Sequence, residues 1–360
     1  MTNQNKLLFI IFALFMNSSH VIASDNACSA EEPTSCLNGV GPAVTNPDSL
    51  RMAAKQISKQ SNTQSENNNS TAAFFGESAM SGLAAGDGYS DWGVWSSISH
   101  NKFGADIPIN SAVQPLAKYD AYQSTIFVGA DKLISDKWVL GLTVGYENTD
   151  IDTKYNGGDN KTDGFTIAPY MAYLINDIFS VDMVAGYTSL STDTDRIDNV
   201  TGSTVSGDFD ADRWFVATNL NATVYHGQWV FGGRLGLLYT EEDQDAYTER
   251  GGATARTLGK RHIDLTQGSI GANLAYTHAT VEPFASITYY NDLGRDNGTS
   301  TGGLPAGIGA TQPTDDDEFQ TGLGVRYFGD TIDGTFEWNS VISRDNFDGN
   351  SVLLTLRMSL

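Results

Sequence analysis

The chain ends in Ser351-Val-Leu-Leu-Thr-Leu-Arg-Met-Ser-Leu360, a stretch in which apolar and polar side chains alternate. The apolar positions are Leu360, Met358, Leu356, Leu354 and Val352. Only Leu353 breaks the alternation. A period of two is typical of a β-strand with one apolar face and one polar face. A terminal strand of this kind is expected of an outer-membrane β-barrel, whose last strand closes the cylinder and faces lipid.

The other end of the chain indicates export. Residues 1–23 have one early positive charge, at Lys6, then an apolar core from Leu7 to Met16 and small residues at a cleavage site after Ala23 or Ser24. This pattern predicts a secretory signal peptide, which is too short for a permanent membrane anchor. The rest of the sequence contains no apolar run of eighteen residues, so residence in a membrane would require strands.

The composition narrows the function classes. The formal net charge of −22 argues against nucleic-acid binding, which needs Lys and Arg against phosphate. The two cysteines, Cys28 and Cys36, follow the signal peptide, so a small-loop disulfide is expected in an oxidising compartment. A metal-binding thiol pair is the alternative, but without a neighbouring histidine it would be a poor site. We therefore predict no metal site and no cofactor.

The mature chain divides into two parts. Residues 24–88 are rich in Ser, Asn, Gln, Ala and Thr and are too few to build a sizeable core, so we interpret them as a short passenger or linker. Within them, the spacing predicts one helix over 47–60, capped by Asn46, and a second over 74–85. Residues 89–360 are interpreted as a β-barrel.

Twelve alternating segments fill this second part. They span residues 92–102, 122–131, 138–148, 163–174, 178–190, 212–226, 229–241, 262–277, 280–291, 318–328, 332–343 and 350–360. The third has an apolar row that begins at Trp138 and ends at Tyr146, as expected where aromatic girdles bracket a membrane. The connections alternate between long and short, which is typical of barrels with long outer loops and short periplasmic turns. The sequence thus predicts an all-β, twelve-stranded antiparallel transmembrane barrel.

Several stretches resemble a known family. The segments Phe127–Leu133 and Gly141–Tyr146 are similar to the second and third strands of the autotransporter β-domain, the translocator barrel of type V secretion. The segment Val281–Ser286, with its proline, resembles another strand of that family, and the resemblance extends over about residues 85–360. It implies a twelve-stranded barrel in the outer membrane of a Gram-negative bacterium, with the preceding helical segment in the lumen and loops facing the exterior.

The same resemblance implies partners and an assembly signal. The partners would be outer-membrane lipid, lipopolysaccharide, the barrel-assembly machinery and periplasmic chaperones. The C-terminal assembly signal would be formed by Val352, Leu354, Leu356, Met358 and Leu360, although the family usually ends in Phe or Trp. The passenger is much reduced, because about 60 residues separate the signal peptide from the barrel. The implied function is to translocate or display this short segment; the alternatives are a porin-like channel and a surface adhesin.

Charged residues within the strands are candidates for the lumen. Those assigned to inward positions are Asp182, Arg234, Glu282, Arg326, Glu337 and Arg357. They would line a pore or grip a plug segment; otherwise they fill a small barrel with a network of ion pairs. Pro169 and Pro283 lie within predicted strands and cannot donate to a ladder, so local bulges or misplaced strand boundaries are expected there.

An enzymatic role has weak support in the sequence. His100, near the outer end of the first strand, is the best histidine for a hydrolase, but its surroundings match no nucleophile motif. The acidic sets around Asp208 and Asp315 lack the spacing of a calcium loop. The prediction is a barrel that is not an enzyme, with no catalytic residues.

Overall fold

The structure, a computed structural model, covers most of the predicted barrel. It describes residues 50–53, 55, 56, 59, 92–108, 116–135, 137–154, 156–198, 200–296, 315–329 and 331–359. The predicted signal peptide, Cys28 and Cys36, the helix over 74–85 and Leu360 lie outside the described residues. Within the described ranges, no helix is long and apolar enough to cross a bilayer.

Twelve long antiparallel strands form a closed barrel, as the sequence predicts. The strands are β1 (Trp92–Pro108), β2 (Leu116–Ser135), β3 (Trp138–Thr153), β4 (Gly158–Leu174), β5 (Phe179–Ile197), β6 (Thr204–His226), β7 (Trp229–Gln244), β10 (Arg261–Tyr276), β11 (Val281–Asp296), β12 (Asp317–Tyr327), β13 (Ile332–Ser343) and β14 (Phe347–Ser359). Between β7 and β10, the short strands β8 (Tyr247–Thr248) and β9 (Thr257–Leu258) form a separate two-stranded sheet. Each barrel strand pairs with its neighbours in sequence, and β1 pairs with β14.

The closing strand β14 has the two faces that its sequence predicts. Met358 pairs with Val94 of β1, and Leu354 pairs with Ile98. Thr355 points inward and is buried, and its hydroxyl donates to Ser97 Oγ at 3.2 Å. Leu353, which breaks the alternation in the sequence, also faces inward and is buried. The apolar side chains at even positions therefore face lipid.

The same inside-out arrangement extends around the barrel. On β3, Trp138, Leu142 and Tyr146 are exposed, whereas the intervening Thr143 and Glu147 are buried. A soluble sheet would bury the apolar row. In a membrane barrel the apolar row meets lipid, and the polar row faces the lumen.

Paired aromatic rings mark two levels on the outer surface. Near the short turns the pairs are Trp138–Tyr173 at 4.5 Å between centroids and Trp229–Tyr276 at 5.0 Å; towards the other end they are Tyr187–Trp214 at 4.8 Å and Tyr289–Phe319 at 5.1 Å. Such girdles lie at the membrane–water interfaces. The apolar belt between them is the membrane-facing zone.

The strands extend further outward than the sequence predicts. β5 continues to Ile197 and β6 begins at Thr204, so most of the predicted 191–211 loop belongs to the sheet. The sheet continues here because the inward row supplies buried side chains such as Leu190 and Phe209. The outward side chains are polar in this part, so the sequence lacks the alternation of apolar and polar residues that predicts a membrane strand. The connection predicted as a long outer loop is therefore short in the structure, because both strands continue above the membrane-facing zone.

The expectation of bulges or misplaced strand boundaries at the two prolines is wrong, because both prolines lie within strands. Pro283 pairs with Val325 in unbroken register, and Pro169 pairs with Leu142 of β3. Pairing between β4 and β5 is interrupted at Ala168 and Pro169 and resumes at Tyr170 in the same register. A missing N–H removes one hydrogen bond from the ladder, and this does not require an inserted residue.

Candidate functional site: the barrel lumen

A short helical stretch lies inside the barrel. Its described residues are 50–53, 55, 56 and 59, all helical, and we call them the lumenal segment. They fall within the helix predicted over 47–60. All but Lys59 are buried, although a stretch of this length could not bury itself. The barrel wall therefore supplies the contacts that hold it.

The start of the lumenal segment contacts the outer part of the barrel. Met52 packs into a cluster that contains Phe103 of β1, Tyr119 of β2 and Ile151 of β3, all buried. The Arg51 guanidinium lies 4.5 Å from the centroid of the Phe347 ring, at the outer end of β14. These contacts place Arg51 and Met52 beside the ends of the strands that carry the longer connections.

The middle of the segment binds a buried carboxylate. The Lys55 ammonium donates to Glu318 of β12, whose side chain is fully buried. Arg51 and Arg344 each lie 3.7 Å from the same carboxylate, and Lys55 Nζ also lies 4.2 Å from the centroid of the Tyr290 ring. Three cations thus surround Glu318, and Arg344 also donates to Asp292 at 3.0 Å. Removing the Glu318 charge would therefore weaken the hold on Arg51 and Lys55 of the segment most directly.

The segment also contacts the wall on both sides of the seam between β14 and β1. Ser99 of β1 and Thr125 of β2 each donate to Gln56 Oε1 at 2.8 Å. The Lys59 ammonium lies 2.7 Å from Asn339 Oδ1 and 3.4 Å from Glu337 Oε1, both on β13. Glu337 pairs with Gly324, which lies deeper in β12 than Glu318. The segment therefore runs inward from the outer mouth.

The seam also has its own polar cluster. Arg357 of β14 donates to both carboxylate oxygens of Asp131 on β2, at 2.8 and 2.5 Å. Tyr170 of β4 donates to the same carboxylate at 2.7 Å, and the Trp95 indole of β1 donates to the Tyr170 hydroxyl at 2.6 Å. Four strands are thereby linked across the inner face.

The remaining lumen candidates make three further sets of contacts. Asp182 is buried and accepts hydrogen bonds from Asn219 and Asn221, each at 2.7 Å. Arg326 donates to Glu282 at 2.6 Å. Arg234 lies by the cavity described below and donates to the Tyr290 hydroxyl at 3.4 Å. The structure brings Glu337 to the lumenal segment, whereas the hydrogen bonds that Asp182 accepts from Asn219 and Asn221 come from the wall.

Sequence reasoning missed two buried charge clusters. Glu318 is one of them. The other is Arg213, which donates to Glu147 at 2.8 Å and to Glu242 at 2.9 Å. All of these residues occupy inward positions, since their neighbours along each strand are exposed. The alternation could have identified Glu147, Arg213 and Glu318, which lie within the predicted strands, whereas Glu242 lies one residue beyond the predicted 229–241.

A cavity remains on the far side of the lumen. It occupies ≈ 690 Å³, including open solvent, and reaches Lys59 of the lumenal segment. Its wall on β7 and β10 includes the small residues Gly232, Gly271 and Ala272, beside Arg234 and Asn273. The segment leans on the half of the barrel that contains the seam, and the half around β7 and β10 has room.

Two features outside the lumen bear on catalysis and metal binding. His100 Nδ1 lies 2.9 Å from Ser124 Oγ, but both side chains lie on the outer surface of the barrel. The carboxylates of Asp150, Asp152 and Asp159 lie within 4.8 Å of one another at the outer end of β3 and β4. Lysine side chains lie against Asp152 and Asp159, at 3.6 and 3.0 Å, and offset part of that charge.

Comparison with known proteins identifies the barrel. The family described as autotransporter beta-domain matches residues 111–330. The chain belongs to the autotransporter β-domain family. Solved structures agree: the translocator domain of the autotransporter NalP from Neisseria meningitidis superposes with a TM-score of 0.63 at 17% identity, covering 83% of this chain and 98% of that one. The β-domain of the Bordetella autotransporter Brka gives 0.58 at 15% identity, covering 75% and 100%.

Curated relatives place this autotransporter barrel in the outer membrane. Outer membrane protein B of Rickettsia japonica is 26% identical over 301 residues, which is 75% of this chain and 18% of that protein. The chain thus spans about a fifth of the length of the relatives that it matches. It lies in the outer membrane of a Gram-negative bacterium, as a type V secretion barrel in contact with lipid.

Proposed function

We propose that this autotransporter barrel delivers the residues preceding its lumenal segment to the cell surface and holds them there. The direction of the segment carries the proposal. Met52 packs at the outer end of the lumen, and Lys59 lies deeper, beside Glu337. The segment thus directs its Leu50 end toward the outer mouth, which supports delivery of the preceding residues through it.

The ion pairs supply the means of holding. Lys55 and Arg51 face the buried Glu318, and Lys59 faces Glu337. Separating a buried ion pair is strongly unfavourable, because each charge is then left in a poorly solvated environment without its counter-ion. The role assigned to Glu337 is to grip the segment, and the role of Asp182, Glu282, Arg326 and Arg357 is to brace the wall around it.

The rest of the assignment follows from this role. Residues 1–23 serve as the signal peptide, residues 24–88 as passenger and linker, and Cys28 and Cys36 form a disulfide outside the cell. Lipopolysaccharide surrounds the outer rim. Periplasmic chaperones and the barrel-assembly machinery act before insertion, with Val352 to Leu360 as the recognition strand.

Labelling of intact cells tests the display. After reduction, a membrane-impermeant maleimide should modify Cys28 and Cys36 as readily as a cysteine at Ala255, an exposed position in an outer loop. As a control, Asp177→Cys places a cysteine in a short turn on the periplasmic side, in a C28S/C36S background. If Cys28 and Cys36 are protected to the same extent as that control, the proposal is wrong.

The cavity on the side of β7 and β10 supports a second candidate, a porin-like channel. Its wall combines small residues with Arg234 and Arg326, as a wetted pore would. Conductance in planar bilayers separates the two candidates. A steady open pore in the full chain favours the channel, whereas a pore that appears only when residues 24–85 are deleted favours the plugged translocator.

A further inference from the structure

The connection between β7 and β10 folds back over the opening of the barrel. The Tyr247 ring of β8 stacks on the Phe209 ring of β6, with 4.9 Å between centroids. Phe209 is buried and lies in the same inward row as Arg213 and Phe215. Gly207, two residues from Phe209, leaves room for Tyr247, because a Cβ there would lie 2.7 Å from the ring. The β8–β9 hairpin therefore packs on the lumenal side of the wall.

A bidentate ion pair ties this hairpin to β5. The Arg196 guanidinium donates to Glu249 Oε1 at 2.9 Å and to Oε2 at 2.6 Å. It also donates to the Thr254 carbonyl at 2.7 Å and to the Thr254 hydroxyl at 3.1 Å. Arg196 and Glu249 are both buried, so neither charge can turn to water while the hairpin is in place. Such paired geometry is strong and directional.

A second tie joins the hairpin to the loop between β5 and β6. Asp198 accepts backbone N–H bonds from Val200 at 2.7 Å and Thr201 at 3.2 Å within its own loop. From the hairpin it accepts the N–H of Thr254 at 2.8 Å and the N–H of Ala253. Gly252, with φ of 67°, adopts the left-handed conformation just before these two donors, where L side chains are strained.

We propose that the β8–β9 hairpin is a lid over the β5–β6 side of the outer mouth, held shut by the side chains of Arg196 and Asp198 and by the backbone bridge between Arg250 and Ser206 of β6. The lid would control access to the barrel lumen. This inference rests on the proposed function, which gives the lumen its role. The hairpin covers the opening beside β5 and β6, whereas the lumenal segment, through Met52, covers the part beside β1, β2 and β3. Glu249 is a positioning residue in this arrangement, and its removal leaves Arg196 buried without its carboxylate.

Labelling of the full chain tests the lid. Ala211→Cys, in a C28S/C36S background, places a thiol on the inward row of β6, two residues below Phe209. We expect an impermeant maleimide to react slowly with it on intact cells, and at least tenfold faster after Glu249→Gln. Asp245→Asn is the matched control: this exposed carboxylate of the same connection forms an ion pair with exposed Lys260 at 2.8 Å, and we expect no change.

Two outcomes would overturn the lid: an unchanged rate in Glu249→Gln, or equal acceleration in both variants. Heat-modifiable mobility on gels must show that each barrel remains folded. Tryptic cleavage after Arg250 on intact cells gives a second measure, and it should increase in Glu249→Gln alone. The labelling of Cys28 and Cys36 is a separate experiment, so a lid that fails while these cysteines are exposed refutes the lid without refuting display.

Discussion

The guanidinium of Arg357 on the last strand reaches over β1 to bind the carboxylate of Asp131 on β2. Gly93, the residue of β1 that lies between them, makes this possible. A Cβ at Gly93 would stand 2.3 Å from Arg357 Nη2 and 3.0 Å from Asp131 Oδ1. The ion pair therefore spans the seam that the pairing of β1 with β14 closes, and it passes over a glycine.

Gly93→Val should destabilise the barrel. The new side chain displaces Arg357 and leaves Asp131 buried without its cation, a change that typically costs about 3–5 kcal/mol. The measurement is the temperature at which the folded band on a gel converts to the unfolded band. Gly233→Val is the matched control, because no atom lies within 4 Å of its Cβ position, and it should leave that temperature almost unchanged.

Glu318→Gln should loosen the lumenal segment. The variant removes the carboxylate that Arg51 and Lys55 share, whereas Arg344 keeps its ion pair with Asp292 at 3.0 Å, so the segment loses an attraction to the wall while the cation of Arg344 remains. We expect frequent channel openings in planar bilayers where the unaltered chain stays closed. Asp317→Asn changes the neighbouring carboxylate, which is exposed and accepts from Tyr289 at 2.9 Å, and it should remain closed. Equal behaviour of the two variants would contradict the role of Glu318.

Leu142→Arg should show where the bilayer lies. Leu142 is exposed on the lipid-facing row of β3, midway between Trp138 and Tyr146. A cationic side chain on the lipid face lowers the free energy of unfolding by about 2–4 kcal/mol at the bilayer midplane. Unfolding by denaturant in lipid vesicles measures the change. Leu142→Phe keeps the face apolar and should shift the midpoint little; an equally mild effect of arginine would place this belt outside the membrane.

Acid should release the lid through Asp198. Burial alone would raise the pKa of this carboxyl, but the four backbone N–H donors outweigh it and lower the pKa to about 2. The unfolded carboxyl titrates near pKa ~3.9. Because the folded pKa is the lower one, its contribution to stability is present above about pH 4 and is lost as the pH falls through about 2.

Pepsin digestion of the purified protein measures this release, since pepsin works in that range of pH. Cleavage near Tyr247 and Leu258 should accelerate between about pH 4 and pH 2. In Asp198→Asn the cleavage should already be fast at pH 4 and change little below it. A rate that rises equally in both proteins would show that other carboxyls control the loop.

The sequence predicted the wall of the barrel better than its contents. Alternation in β3 and β14 assigns Leu142 and Met358 to lipid and Thr143 and Thr355 to the inside, because the bilayer and the lumen impose opposite solvents on adjacent residues. The proline bulges were wrongly predicted, since a lost hydrogen bond at Pro283 did not displace the register.

The contacts of the lumen could not be predicted from local pattern. Lys55 and Glu318 are 263 positions apart, and the sequence around either residue gives no indication of its partner. The outer ends of β5 and β6 were read as loop because their outward residues, such as Asp208 and Asp210, meet water above the bilayer. Buried and more exposed positions still alternate along the strand from Val205 to Ala211, but the outward positions are polar, so no apolar row marks the outer face.

The height of β6 changes what an antibody would meet on the cell. Its 23 residues extend about 75 Å along the strand, and at a tilt of about 40° they rise about 58 Å, whereas the apolar band of such barrels is about 25 Å tall. Much of the surface outside the cell is therefore rigid, hydrogen-bonded sheet shared by neighbouring strands. Epitopes on it are discontinuous, so sera raised against linear peptides from 191–211 should recognise the denatured chain and not the intact bacterium.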